Sequence, residues 1–168
     1  MNKAIAIVIL AAVFSSVSRG SGAGEPSQTQ VHSEDEKAIK RLVLERNERF
    51  NNHEAPLPAS FTQDADFVNV YGMWRRGPAE IESRQKERME TVLKDAKIAL
   101  LDLRIRFIRP DVAIVHETHV MSGMLNDDGE TMPPHRELSI RVVVKEQGKW
   151  LITAFHNTIV RPVKPPAK

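Results

Sequence analysis

Two segments of helical period followed by a run of long segments of strand period predict an α+β layer fold for this 168-residue chain. In the first, Ile39, Leu42, Val43 and Phe50 fall at helical spacing with charged residues between them. After Asp95 the period changes. Ala99, Leu101, Leu103, Ile105 and Phe107 alternate with Leu100, Asp102, Arg104 and Arg106, the pattern of a half-buried strand. Leu138, Ile140, Val142 and Val144 repeat that period of two. The length suits one domain with its own core, and neither an internal repeat nor a second domain is visible. With 41% hydrophobic and 27% charged residues, disordered and collagen-like classes drop out.

The beginning of the chain reads differently. Lys3 precedes the apolar run Ala4 to Val17, which is short for a membrane span, and Ser21-Gly22-Ala23 offers small residues for cleavage. Residues 1–23 therefore read as a secretory signal peptide, with an uncleaved membrane anchor as the alternative. Cleavage implies a secreted or periplasmic protein with no stable membrane insertion. The absence of cysteine excludes a lipoprotein anchor and structural disulfides. Of 24 basic residues Lys3 and Arg19 precede Ala23, which leaves 22 against 22 acidic residues in the mature chain. The basic pI thus carries no message about nucleic acid, and no basic stripe with interleaved aromatics is present.

The elements follow in order. Residues 24–32 are polar and read as a flexible linker. Ser33-x-x-Glu36 fits a capping box opening a helix from Glu34 to Asn52, which Pro56 and Pro58 end. Ala59 to Gln63 suit one further short turn. Phe67 to Tyr71 and Met73 to Arg75 read as a hairpin turning at Gly72, and Gly77-Pro78 opens a second helix. Its inward stripe is Ile81, Gln85, Met89 and Val92. Glu80, Glu82, Arg84, Lys86, Glu87, Arg88 and Glu90 read as its solvated faces. Arg109-Pro110-Asp111 turns the strand after Asp95 into Val112 to Gly123, and Asn126 to Gly129 supply loop chemistry. Gln147-Gly148 leads into the last strand, Trp150 to Val160. Pro162, Pro165 and Pro166 mark a Pro-rich tail over residues 162–168, beyond a domain of residues 33–161.

His116-Glu117-Thr118-His119 invites a metal reading, but the spacing is one residue shorter than the zinc-protease signature and the segment reads as a strand. On a strand, positions i and i+3 point to opposite faces, so no metal site is expected. Strand parity assigns Glu117, His119 and Met121 to one face and His116, Thr118 and Val120 to the other. Glu137, Ser139 and Arg141 lie opposite the apolar Leu138, Ile140, Val142 and Val144. Thr153, Phe155 and Asn157 alternate with Trp150, Ile152, Ala154 and His156. Parity leaves open which face meets the helices.

Three stretches carry a family resemblance: Gly148-Lys149-Trp150 through His156-Asn157-Thr158, Asp64 to Val70, and Arg109-Pro110-Asp111 to Val115. Together they resemble the nuclear transport factor 2-like superfamily, nearest to its SnoaL-like and SgcJ/EcaC-type members, over roughly Ser33 to Arg161. The resemblance implies a cone-shaped, curved antiparallel sheet wrapped around the N-terminal helices, with a cavity at the open end. It also implies a homodimer through one sheet face, for which Leu100 and Ile108 beside Arg104 and Arg106 are suitable. The chain is similar, too, to the association domain of calcium/calmodulin-dependent kinases, whose pocket is lined by arginines from three strands. One of those positions falls on Arg141, and the other two fall on His119 and Asn157, a departure that argues against an anionic ligand held by an arginine cluster and leaves Arg141 to pair one carboxylate.

Enzymes of the superfamily, the steroid isomerases and SnoaL-like cyclases, work by proton transfer beside a carbonyl, which needs a base and a hydrogen-bond donor in an apolar cavity. The catalytic candidates are His119, Asp66 and Glu117, with Asp64 also weighed as a base. The ligand-binding candidates are Tyr71, Trp74, Met121, Arg141, Phe155, His156 and Asn157. Several have a plain structural alternative: capping for Asp64 and Asp66, hairpin packing for Tyr71 and Trp74, a surface ion pair for Arg141, a hydrogen-bonded structural role for His156 and simple core packing for Met121. His119, Arg141 and Asn157 are expected to converge on one cavity, with Tyr71 or Trp74 near its mouth. Phe67, Trp150, Met121 and Met124 suit an apolar lining for a small organic ligand. Two functions remain open. One is a small-molecule-binding protein with proton-transfer or hydrolytic activity on a carbonyl or cyclic compound, without a cofactor. The other is a non-catalytic dimeric association module.

Overall fold

In the computed structural model, which describes residues 28–126 and 128–161, a six-stranded sheet packs against two helices. The signal-peptide reading of residues 1–23 and the tail reading of residues 162–168 lie outside the described residues. Helix α1 spans Gln28–Asn51 and so takes in part of the expected linker. Ser33 lies inside it rather than capping it. No Gly or Pro stands between Pro26 and Pro56, so nothing local stops the helix from extending towards Pro26. Asp35, Ile39, Val43, Asn47 and Phe50 are its buried residues, spaced three or four apart along one face.

The strands are β1 (Phe61–Val68), β2 (Trp74–Arg76), β3 (Lys97–Arg109), β4 (Val112–Ser122), β5 (His135–Glu146) and β6 (Lys149–Ile159). They lie in the order β2-β1-β6-β5-β4-β3. The sheet is mixed, not wholly antiparallel, because β6 inserts beside β1 and runs parallel to it. A parallel pair needs a long crossover, and everything from β2 to β5 supplies it. Helix α2, Gly77–Glu90, packs on β1 with Ile81 and Met89 buried. The β1–β2 turn is held by Asn69, whose Oδ1 accepts the amides of Tyr71 and Met73, each at 3.0 Å.

Parity is resolved, and bulges alter it in two places. The buried face carries Ala113, Val115, Glu117, His119 and Met121 on β4, and Glu137, Ser139, Arg141 and Val143 on β5. The apolar row Leu138 and Ile140 is exposed, so β5 turns its charged row inward. On β3 a register shift between Leu100 and Asp102 breaks the alternation. Ile98, Leu103, Ile105 and Phe107 face in, whereas Ala99 and Leu101, expected with them, are exposed. On β6 the shift near Thr153 brings Trp150 and Ile152 onto the same face as Phe155 and Asn157.

The core has two apolar clusters. One gathers Ile39, Val43, Phe61, Phe67, Val115, Trp150, Ile152 and Phe155 with their neighbours. The other gathers Phe50, Met89, Leu93, Ile98, Met121 and Met124. Along β4 they flank Glu117 and His119. Helix α1 is also tied to the sheet through Asp35, which accepts bonds from Lys145 Nζ at 2.6 Å and Trp150 Nε1 at 2.9 Å. Burial works against the Asp35 carboxylate, and these two donors override it and hold its pKa below the usual value.

Where β4 ends, Gly123 adopts φ +71°, and a Cβ there would lie 2.2 Å from the carbonyl oxygen of Asp95. Gly148, with φ +80°, has open space around it. Gly123→Ala is therefore expected to lose on the order of 2 kcal/mol, clearly more than Gly148→Ala. Urea unfolding of the two variants beside wild type checks this; equal losses would show that the Asp95 contact relaxes freely.

Candidate functional site

A carboxylate with no exposure, Glu117, sits at the middle of β4 between the two apolar clusters. Its neighbours come from three elements. Asn47 of α1 donates from Nδ2 to Oε1 at 2.8 Å. Arg141 of β5 places Nη1 2.7 Å from Oε2, and His119, two residues along β4, places Nδ1 3.2 Å from Oε1. Glu117 Oε2 and His119 Nδ1 nevertheless lack an aligned hydrogen bond, so both approaches are charge contacts rather than well-directed bonds. Burial alone would push the Glu117 pKa up. Arg141 first, then His119 and Arg46, reverse that and hold it down to about 2.

His119 links this group to a second carboxylate. Its Nε2 lies 3.4 Å from Oε2 of Glu137, its cross-strand partner on β5. Glu137 also accepts Asn157 Nδ2 at 2.6 Å and lies 3.3 Å from His135 Nε2. Burial would favour neutral imidazole, but the carboxylates on either side outweigh it and raise the His119 pKa. Glu137 is likewise lowered against the effect of its burial, His119 being the main reason. His119 and Glu137 thus favour each other's charged forms.

This pair lies on the wall of a cavity of about 70 Å³ between the sheet, α1 and α2. The volume is below the roughly 150 Å³ of an apolar cavity that takes benzene, so a ring-sized ligand must extend towards the mouth or displace flexible side chains. Phe67 and Phe155 stack at 4.4 Å on one side, and Met73, Met121 and Met124 supply apolar surface. Arg46 from α1 and Arg84 and Arg88 from α2 also line it, with Arg75 from β2 and Asn69 from the turn.

Of the residues singled out from sequence, His119, Met121, Phe155 and Asn157 line this cavity. Glu117 and Arg141 lie on the same sheet face but behind the wall, with 0% and 1% exposure. Arg141 is therefore neither a surface ion pair nor a free ligand clamp; its charge is committed to Glu117. Asp66 does not reach the cavity: it lies between the inward Ala65 and Phe67 and accepts Trp74 Nε1 at 2.7 Å. Tyr71 and Trp74 are 47% and 55% exposed and do not line the cavity; their neighbours Val70, Met73 and Arg75 do. His156 pairs with Ile140 on the outer face and is exposed. His116 is exposed too, on the face opposite His119. Among the described residues no group of three His, Asp or Glu side chains is placed to hold a metal ion.

Sequence reasoning misses Glu137, Arg46, Asn47 and Arg88. Helical spacing puts Arg88 on a solvated face of α2, yet it is half-buried. The available signal is Asn47, a polar residue on the stripe of Val43 and Phe50, and Glu137, which shares the face of Arg141.

No protein-family model matches the chain, and no curated protein matches it. Solved structures do. An uncharacterised protein with a cystatin-like fold from Caulobacter vibrioides is 29% identical, with a TM-score of 0.72, over 77% of this chain and 92% of that one. A protein assigned provisionally as a scytalone dehydratase, from Novosphingobium aromaticivorans, is 14% identical with a TM-score of 0.67, over 84% and 94%. The hexachlorocyclohexane dehydrochlorinase LinA-type3 from Novosphingobium barchaimii is 12% identical with a TM-score of 0.68, over 82% and 100%. The chain has the cystatin-like α+β fold, the cone of nuclear transport factor 2-like proteins.

The charge states give a pH dependence of stability. The raised pKa of His119 contributes stability that is complete below the unfolded value of about 6.5 and is lost as pH rises through the folded value. Glu117 and Glu137 contribute above their unfolded value of about 4.3 and lose this as pH falls, Glu117 only towards about 2. The stability of wild type over His119→Gln should therefore peak between about pH 4.5 and 6.5 and shrink above that range. Denaturant titrations across pH read it directly; an advantage that grew with pH would mean a neutral imidazole.

Proposed function

We propose that the cavity binds a small organic molecule and that the His119–Glu137 pair moves protons at it, in an elimination or isomerisation that needs no cofactor. The observation that carries this reading is the imidazole of His119, lodged between two buried carboxylates with its Glu137 side on the cavity. Glu137 takes a proton from carbon, and the C–H electron pair forms the new double bond. The protonated His119 delivers its Nε2 proton to the departing group, or to the far end of the shifted double bond. Direct transfer between Glu137 and His119 then restores the pair. Glu117, with Arg141 and Asn47 behind it, orients the imidazole and stabilises its charge. Two proteins sharing the fold are named for removing water and hydrogen chloride, which supports an elimination. The finer SnoaL-like, SgcJ/EcaC-type assignment belongs to the same proposal.

Exposed apolar residues of the sheet suit a homodimer contact, since Leu100, Ile108, Leu138 and Ile140 are 39%, 51%, 39% and 37% exposed. Light scattering should return a dimer for wild type and a monomer for Ile140→Arg. A monomeric wild type at tens of micromolar would remove the dimer from the proposal.

For the chemistry, a panel of small cyclic hydroxy-carbonyl and halogenated compounds is followed for double-bond formation. His119→Gln and Glu137→Gln should each lower kcat by roughly 10²–10⁴-fold. Because His119 acts as the acid, kcat/KM should fall as pH rises through its raised pKa. Rates that climb through that range would make His119 the base. Binding with no turnover anywhere in the panel would favour the association-module reading.

A further inference from the structure

Four guanidinium groups line the cavity, and they are not equivalent. Arg84 is paired with Glu87 at 2.8 Å, and Arg75 donates to the Trp74 carbonyl at 2.7 Å with Glu80 3.9 Å away. Arg46 and Arg88 have no carboxylate within 4.0 Å among the described residues. Arg46 comes from the buried side of α1 and spreads over Phe155, with its Cζ 4.6 Å from the ring centroid and 5.7 Å from that of Phe67. Its Nε is buried without any hydrogen-bond partner. Arg88 reaches in from α2, with its Cζ 5.8 Å from the ring centroid of Tyr71. The nearby carboxylates are already committed: Glu117 to Arg141 and Asn47, Glu137 to His119 and Asn157.

A buried donor left without an acceptor is costly, and a guanidinium fork matches a carboxylate in shape as well as charge. The phenyl pair beneath Arg46 offers a flat apolar seat beside that charge. We infer that the cavity's ligand is a small monocarboxylate, its carboxylate held by Arg46 and Arg88 and its apolar body against Phe67 and Phe155. The cost of burying these charges shows in the arginines themselves. Burial first, then repulsion from Arg141, pushes the Arg46 pKa down to about 9, and burial lowers that of Arg88. A bound carboxylate relieves both. The cavity volume of about 70 Å³ suits a short-chain acid, or a single ring that extends towards the mouth. These arginines stand on helices, so the missing strand arginines at His119 and Asn157 do not count against an anion.

This inference rests on the cavity of the proposed function but not on its proton pair. The test is calorimetric and thermal-shift titration of the protein with acetate, lactate, benzoate and cinnamate, each beside its uncharged amide. Carboxylates are expected to bind about tenfold or more tightly than their amides and to raise the melting temperature with concentration. Arg46→Met and Arg88→Met should each remove that preference. Arg84→Met, which removes a guanidinium already paired, should retain it. If Arg46→Met fails to fold, Arg88→Met and the wild-type acid-over-amide ratio still decide. Glu137→Gln should bind carboxylates at least as well as wild type while losing turnover. Amides that bind as well as acids, acids that bind both methionine variants normally, or no binding by any acid up to about 10 mM would each overturn the inference. Carboxylate binding with no turnover anywhere in the hydroxy-carbonyl and halogenated panel would overturn the proton-transfer proposal alone.

Discussion

The buried carboxylate of Glu117 is the constraint around which the rest of this structure is arranged. A charge taken out of water is tolerated only with charged and hydrogen-bonding partners of its own. Here the partners are Arg141 from the next strand and Asn47 from the helix above, so one side chain ties β4, β5 and α1 together. Replacing such a set with well-packed apolar residues is often neutral or stabilising, whereas breaking it leaves an unpaired charge at about 3–5 kcal/mol. Stability alone thus gives no reason for a charged row inside this sheet. The row has a chemical consequence instead: it orients an imidazole against a cavity and favours its charged form.

The apolar surroundings give that charge its effect. Clusters on either side of Glu117 and His119 confine the polar band to a narrow layer, where interactions are weakly screened. The same layer explains why α1 carries both Ile39 and Asn47 on one face. It must pack an apolar cluster at one level and satisfy a carboxylate at the next. Asp35 repeats the device nearer the start of the helix, where Lys145 and Trp150 hold it.

Charge is also divided between sheet and helices. The sheet supplies a closed set in which each carboxylate has its cation. The helices and the β2 region supply guanidinium groups, some answered by Glu80 and Glu87 and two with no carboxylate within 4.0 Å among the described residues. The proposed proton movement and the proposed recognition of a ligand therefore rest on different elements, and substitution separates them.

Much of the architecture is legible in the chain itself. Helical spacing from Ile39 to Phe50, the Gly77-Pro78 start and the period of two along β4 and β5 are local signals, because side-chain direction follows backbone geometry. The same parity alone puts Glu117 with His119, and Glu137 with Arg141, on common faces. What local pattern does not reach is which face turns inward. The apolar row Leu138 and Ile140 looks like a core and is exposed, because the balance is struck across the sheet, by Arg141 meeting Glu117 and by two helices covering that side. Nor does it reveal the one-residue shifts near Leu101 and Thr153, which reverse parity without a glycine or proline to mark them. Arg46 and Arg88 become cavity residues only when α1 and α2 are docked. Period and composition are properties of neighbours in sequence. Pairing of buried charges depends on neighbours in space, and only the tertiary structure decided those.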